Sequence, residues 1–74
     1  MEVDARGLAC PLPLLKTKLA LHGLEVGQYL RVLATDRGSV RDCQAFARLS
    51  PHSLVSVEDI DGVFAYLWKK GGNT

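Results

Sequence analysis

The chain has 74 residues, of which 47% are hydrophobic and 23% are charged, and its net charge is +1. This composition predicts one small folded domain and excludes an intrinsically disordered chain. Nine basic residues are balanced by eight acidic ones, so we expect neither strong direct binding of nucleic acid nor binding to an anionic membrane.

Targeting and metal-binding features are not recognisable in the sequence. No apolar segment approaches the about 18 residues that a membrane span needs, and the first residues do not resemble a signal peptide. We therefore expect a cytoplasmic location, where the two cysteines remain reduced. Because no Cys/His cluster has the spacing of a metal site, we expect no metal and no cofactor.

The first half of the chain predicts a strand, a helix and a second strand. The first strand covers Glu2–Ala5, and Gly7 permits the turn that follows it. Residues 11–22 predict a helix that ends at Gly23, a common residue at the end of a helix. The alternation over Tyr29–Ala34 predicts the second strand.

The second half predicts a helix and a β-hairpin. Residues 39–49 form the helix, with Ser39 as its N-cap. Residues 54–60 and Val63–Lys69 are then two strands, joined by the two-residue turn Asp61-Gly62.

This order of elements predicts an α/β two-layer sandwich. Both helices would pack on one face of a four-stranded mixed sheet, in the order β-α-β-α-β-β. The first two strands should be parallel, and the last two should form an antiparallel hairpin. Phe64, Tyr66 and Trp68 alternate along the last strand, and we expect them to line the core.

Two apolar lines run along the predicted first helix. One line has the spacing of a core stripe and consists of Leu14, Thr17, Leu21 and Leu24. The other line consists of Leu12, Leu15 and Leu19. We expect a neighbouring helix to cover Leu19, and we expect Leu12 to begin a docking surface beside Cys10.

Cys10 is the predicted nucleophile. If Pro11 occupies the first helical position, Cys10 becomes the N-cap, where cysteine is unusual. The helix dipole would then lower the thiol pKa toward ambient pH, at which an attacking thiol works best. The backbone N–H of Leu12 would donate a hydrogen bond to the Cys10 sulfur.

Two further residues near this chemistry allow alternative interpretations. Arg6 is a candidate for stabilising a thiolate or persulfide anion at Cys10, and the alternative is an exposed ion pair with Asp4. Cys43 falls on the apolar face of the second helix, which predicts an inert buried thiol. A resolving role for Cys43 is the open alternative.

The run Val3-Asp4-Ala5-Arg6-Gly7-Leu8-Ala9-Cys10-Pro11-Leu12-Pro13 resembles the signature of the TusA-like, or SirA-like, sulfur carrier family. In that family a CPxP motif opens the first helix. Arg41-Asp42 resembles the start of the family's second helix, and Asp61-Gly62 its final hairpin. The resemblance covers nearly the whole chain and implies a single TusA-like sulfur carrier domain over residues 1–74.

The resemblance also implies a βαβαββ fold and a function. Cys10 would accept a sulfane sulfur as a persulfide, with Pro11, Leu12 and Pro13 supporting it at the helix start. The donor would be a cysteine desulfurase or another sulfurtransferase, and the sulfur would pass to an acceptor protein in tRNA thiolation or sulfur metabolism. Such a protein is a carrier and not a stand-alone turnover enzyme. Leu12 stands where tRNA-thiolation members commonly have Glu, which makes the surface beside the thiol more apolar.

Two other functions remain open from the residues alone. A thiol redox module would use a Cys10–Cys43 disulfide, which requires the two Cα atoms to lie within about 7 Å. A non-enzymatic interaction domain would bind a partner through Leu12, Leu15 and Leu19, and the thiol of Cys10 would be incidental.

Overall fold

A computed structural model describes residues 1–72 of the chain. Its elements follow the predicted order and are β1 (Glu2–Ala5), α1 (Leu12–His22), β2 (Tyr29–Ala34), α2 (Gly38–Leu49), β3 (Ser53–Ile60) and β4 (Val63–Lys69).

The strands form a four-stranded sheet in the order β1-β2-β4-β3. β1 is parallel to β2, with Ala5 opposite Ala34, while β4 is antiparallel to both β2 and β3. The hairpin between β3 and β4 turns at Asp61 and Gly62, whose φ angles of 53° and 83° are the left-handed pair that a tight two-residue turn requires. The predicted mixed sheet and antiparallel hairpin are therefore confirmed.

The core lies on the face of the sheet that the helices cover. Leu30, Val32 and Ala34 alternate along β2 and are buried, as are Tyr66 and Trp68 on β4. Phe64 is partly buried and packs against this cluster, so the predicted aromatic face of β4 is confirmed. The aromatic side chains supply much of the apolar area that a small domain can bury.

Both helices pack on this face and contact each other. Thr17 and Leu21 are the buried residues at the centre of the α1 stripe. The Thr17 hydroxyl donates to the Pro13 carbonyl at 2.9 Å, so its burial leaves no unsatisfied polar group. On α2, Ser39 and Cys43 face the core. The predicted two-layer architecture is correct.

The start of α2 differs from the prediction. The helix begins at Gly38 with Arg37 at the N-cap position, and no side chain caps it. The hydroxyl of Ser39 instead donates to the Asp36 carbonyl at 2.7 Å and lies 2.5 Å from the Tyr66 hydroxyl. Ser39 thus ties the beginning of α2 to β4, because a buried hydroxyl needs a partner.

The second apolar line of α1 faces solvent. The exposed fractions of Leu12, Leu15 and Leu19 are 45%, 48% and 74%. The expected cover over Leu19 was wrong, because α2 contacts α1 without covering this line. Together these three residues form an exposed apolar line, the leucine surface.

None of the helices described here is long and apolar enough to cross a membrane.

The chain after β4 passes against the segment before β3, which makes Gly71 sensitive to substitution. A Cβ atom at Gly71 would lie 1.8 Å from the Pro51 carbonyl oxygen, whereas one at Gly72 would meet nothing closer than Val26 at 3.8 Å. The Gly71 N–H also donates to His52 Nδ1 at 3.0 Å.

We therefore predict that Gly71→Ala lowers the free energy of unfolding by about 1–3 kcal/mol, since the backbone must move to relieve the clash. Gly72→Ala is the matched control and should change it little. Urea denaturation measures both variants, and equal stability of the two would contradict this account.

Candidate functional site

The loop between β1 and α1 is fixed at the carboxyl end of the two parallel strands. Gly7 adopts a φ of 81°, which permits the reversal after β1. Its N–H donates to the Thr35 hydroxyl oxygen at 2.9 Å, so the loop is bonded to the residue that follows β2. Leu8 packs against the core cluster and anchors the middle of the loop.

This loop presents Cys10 at the surface as an exposed, free cysteine. The peptide bond between Cys10 and Pro11 is cis. An exposed thiol at the end of an anchored loop is accessible to a second protein.

The helix that follows starts later than predicted. Pro11, and not Cys10, is the N-cap, and Leu12 is the first helical residue. The Leu12 N–H donates to the Ala9 carbonyl at 2.9 Å, and it is therefore not available to the Cys10 sulfur. The predicted N-cap position of Cys10 and its predicted amide donor are both wrong, because the residues before the prolines close their own turn.

The thiol lies instead against the beginning of α2. A Cβ atom placed on Gly38 would be 3.9 Å from the Cys10 sulfur. One turn further along α2, the carboxylate of Asp42 accepts a hydrogen bond from the Cys10 thiol. Asp36 is also close, since its Oδ2 would be 2.9 Å from the same Cβ position.

These neighbours raise the pKa of Cys10 above its ordinary value. The hydrogen bond to Asp42 is the largest cause, followed by desolvation and by the negative charges of Asp42 and Asp36, while Arg41 opposes the shift. The predicted lowering of the pKa was wrong, because a carboxylate that accepts the S–H bond favours the protonated thiol. Cys10 is therefore mostly a neutral thiol near pH 7.

The Arg6 guanidinium forms an ion pair with Asp4 at the end of β1. Its Nε and Nη2 donate to the two carboxylate oxygens of Asp4, each at 2.9 Å. This pairing lowers the pKa of Asp4 to about 2 and raises that of Arg6. The exposed pair is thus present, and a role of Arg6 toward an anion at Cys10 stays a prediction.

Cys43 is buried in the core with an exposed fraction of 1%. Burial, followed by the charge of Asp42, raises its pKa to about 12. Such a thiol is a poor nucleophile at neutral pH, which agrees with the predicted inert role and does not favour a resolving cysteine. Both cysteines are free.

Asp42 is the site residue that sequence reasoning missed. The dipeptide Arg41-Asp42 stood out only as part of a family resemblance, and nothing in its sequence position links it to Cys10. The available signal was topological: two parallel strands end together, so the loop after β1 and the helix after β2 meet at one edge of the sheet. Across residues 1–72, no group of His, Cys, Asp and Glu side chains could hold a metal ion.

We predict that iodoacetamide modifies Cys10 in the native protein with a pH midpoint above the about 8.5 of a free cysteine. The rate should fall steadily as the pH is lowered toward 7, because the raised pKa leaves little thiolate. Alkylation rates from pH 6 to 10 measure this, with peptide mapping to separate the two cysteines.

Cys43 is the internal control and should react only after denaturation. A midpoint at Cys10 well below 8.5 would contradict the electrostatic description of the site.

The chain matches the protein family described as sulfurtransferase TusA over residues 1–70. It is 46% identical to the sulfur carrier protein TusA of Allochromatium vinosum over 69 residues, which cover 93% of this chain and 91% of that protein. A putative sulfur carrier protein of Neisseria meningitidis is 47% identical over 62 residues, with 84% of each chain covered.

Among solved structures, the SirA-like protein of Desulfitobacterium hafniense superposes with a TM-score of 0.83 and 30% sequence identity. The match covers 96% of this chain and 99% of that one. The fold and the sequence thus agree with each other, and the chain belongs to the TusA sulfurtransferase family.

Proposed function

We propose that this protein is a sulfur carrier in which Cys10 accepts a sulfane sulfur as a persulfide and relays it to an acceptor protein. The observation that carries the proposal is the exposed Cys10 thiol, held by an anchored loop at the edge of the sheet. Family membership supports the same role. We further propose that residues 1–74 act as one carrier domain and work in the cytoplasm, where thiols stay reduced.

Loading is a thiol exchange at the sulfane sulfur of a donor persulfide. The Cys10 thiol loses its proton to solvent, and its sulfur attacks the terminal sulfur of the donor. The S–S bond of the donor breaks as the new bond to Cys10 Sγ forms, and the donor leaves as a thiolate that takes up a proton. No external oxidant or reductant is required, because one S–S bond replaces another.

Delivery reverses the roles of the two partners. An acceptor nucleophile attacks the terminal sulfur, the bond to Cys10 Sγ breaks, and Cys10 leaves as a thiolate that is reprotonated. We expect Pro11, Leu12 and Pro13 to support this cycle, because they begin α1 immediately after Cys10. Arg6 is a candidate cation for the persulfide anion if its pair with Asp4 opens, since both side chains of that pair are more than half exposed and such pairs are weak in water.

The leucine surface is the proposed docking site for the sulfur-donor protein, a cysteine desulfurase or another sulfurtransferase. Its first member, Leu12, is two residues from Cys10, and the line continues along α1 through Leu15. An open apolar line that begins beside the reactive atom would place a donor's persulfide within reach of the thiol. This contact would strengthen the binding of the donor protein and would take no part in the sulfur transfer itself.

The persulfide itself is detectable by mass. After incubation with a cysteine desulfurase and cysteine, or with a small persulfide donor, we expect intact-mass spectrometry to show one added sulfur atom that maps to Cys10. Cys10→Ser should carry none, because it removes the nucleophile. Cys43→Ala is the matched control and should load normally; sulfur retained by Cys10→Ser would contradict the proposal.

Two kinds of donor distinguish docking from sulfur transfer, because only a protein donor can contact the leucine surface. We expect Leu15→Ser to raise the KM for loading from a protein donor by roughly tenfold, because it removes an apolar contact worth about 1.5–3 kcal/mol when buried. Loading from a small persulfide should stay unchanged. Val55→Ser, at a similarly exposed apolar position on β3, is the control. If both donors are slowed equally, the leucine surface is not a docking site.

A further inference from the structure

The contact between Cys10 and Asp42 gives the site a property that goes beyond carrying sulfur. Asp42 is on α2, 32 residues away in the sequence, and its carboxylate accepts the hydrogen bond of the Cys10 thiol. The ion pairs among residues 1–72 are Arg6–Asp4 and Arg31–Glu2. No salt bridge within this part of the chain neutralises the Asp42 carboxylate.

The hydrogen bond can exist only in the unloaded carrier. It requires a hydrogen atom on Cys10 Sγ, and in a persulfide that hydrogen has been replaced by the second sulfur atom. Loading therefore breaks the bond. It also places a terminal sulfur, which is more acidic than the thiol and ionises more readily, beside two carboxylates. The charged groups near the thiol are Asp36, Arg41 and Asp42, with the buried Cys43 behind them.

We propose that Asp42 is a positioning residue that stabilises the protonated, unloaded Cys10 and disfavours the loaded persulfide, so that it biases the carrier toward giving sulfur away. The inference rests on the proposed function and assigns a direction to it. Between encounters the exposed thiol stays protonated, which protects it from oxidation, because oxidation follows thiolate character. During delivery, reprotonation of Cys10 restores the bond to Asp42.

This bias suits a relay. A carrier that bound sulfur too tightly would accept it and fail to release it, and a carrier with a strongly acidic thiol would be a weak nucleophile. Gly38 lies beside the thiol, since a Cβ atom placed there would be in ordinary van der Waals contact with the Cys10 Cβ at 3.6 Å.

The test compares the wild type with Asp42→Asn, which keeps the shape and removes the charge. Each protein is equilibrated with a fixed ratio of glutathione persulfide to glutathione, and the loaded fraction is read by intact mass. We expect the ratio of loaded to unloaded carrier to rise by roughly threefold to tenfold in Asp42→Asn, since the bond to a charged acceptor becomes a weaker bond to a neutral one in the unloaded state, and the repulsion of a persulfide anion is removed from the loaded state.

A second measurement reports on the thiol without any sulfur transfer. The alkylation midpoint of Cys10 should fall in Asp42→Asn, and the rate at pH 7 should rise by about threefold for each pKa unit, because more thiolate outweighs its lower nucleophilicity. A merely structural role of Asp42 would not move the pH profile in this direction. Thermal unfolding establishes that the variant is folded.

Two control variants distinguish the effect of the hydrogen bond from a general effect of removing a negative charge. Glu25→Gln makes the same change of charge before β2, at the opposite end of the sheet from Ala5 and Ala34, and should leave both measurements unchanged. Asp36→Asn removes a nearby charge without the bond to sulfur and should have a smaller effect than Asp42→Asn.

The outcomes distinguish the two proposals. Equal loading and equal alkylation profiles for the wild type and Asp42→Asn overturn the role of Asp42 while leaving the carrier function intact. A lower loaded fraction in Asp42→Asn also overturns it. If no protein acquires sulfur at Cys10, the proposed function fails, and the alkylation profiles still decide whether Asp42 holds the thiol protonated.

Discussion

The parallel pairing of β1 with β2 is the constraint on which the site depends. It sets Ala5 opposite Ala34, so the loop that follows β1 and the segment that follows β2 emerge at the same edge of the sheet. The bond from the Gly7 N–H to the Thr35 hydroxyl oxygen joins these two segments directly. Without this register, Cys10 and the first turns of α2 would not lie next to each other.

The aromatic core also fixes the position of α2 relative to the sheet. Tyr66 and Trp68 on β4 fill the space under both helices, and Ser39 links the start of α2 to Tyr66. Burial raises the pKa of Tyr66 to about 12, so this hydroxyl stays neutral and remains a hydrogen-bond partner across the physiological range. The position of α2, and with it the carboxylate of Asp42, is therefore fixed by packing that does not change with pH near neutrality.

The protonation state of the exposed Cys10 thiol is governed by nearby side chains of both charges, and not by the N-terminus of α1. Pro11 predicts an N-cap position for Cys10 and a thiol activated by the dipole of α1, but the Leu12 amide is bonded to Ala9 and α1 starts after Cys10. Nearby carboxylates favour the protonated thiol, while Arg41 acts against them. A thiol of this kind stays mostly protonated between encounters, and this protects it from oxidation, which follows thiolate character.

The fold was predictable from the sequence because each element carries a local signal. The alternation along Tyr29–Ala34, the turn Asp61-Gly62 and the stripe through Leu21 all depend on residues close in the chain. The site was only half predictable. Cys10 was identified by its prolines, whereas Asp42 acts across 32 residues of sequence, and a contact of that kind follows from strand register. Likewise, the exposure of Leu19 depends on how α2 packs, which no local pattern encodes.

The most direct test of this account is a crystal structure of the carrier after loading with a persulfide donor. We expect electron density for one sulfur atom bonded to Cys10 Sγ, projecting into solvent near Leu12, with the Asp42 carboxylate no longer bonded to Sγ. Density for the added sulfur at Cys43, or a loaded Cys10 that still holds Asp42 in its original contact, would contradict it.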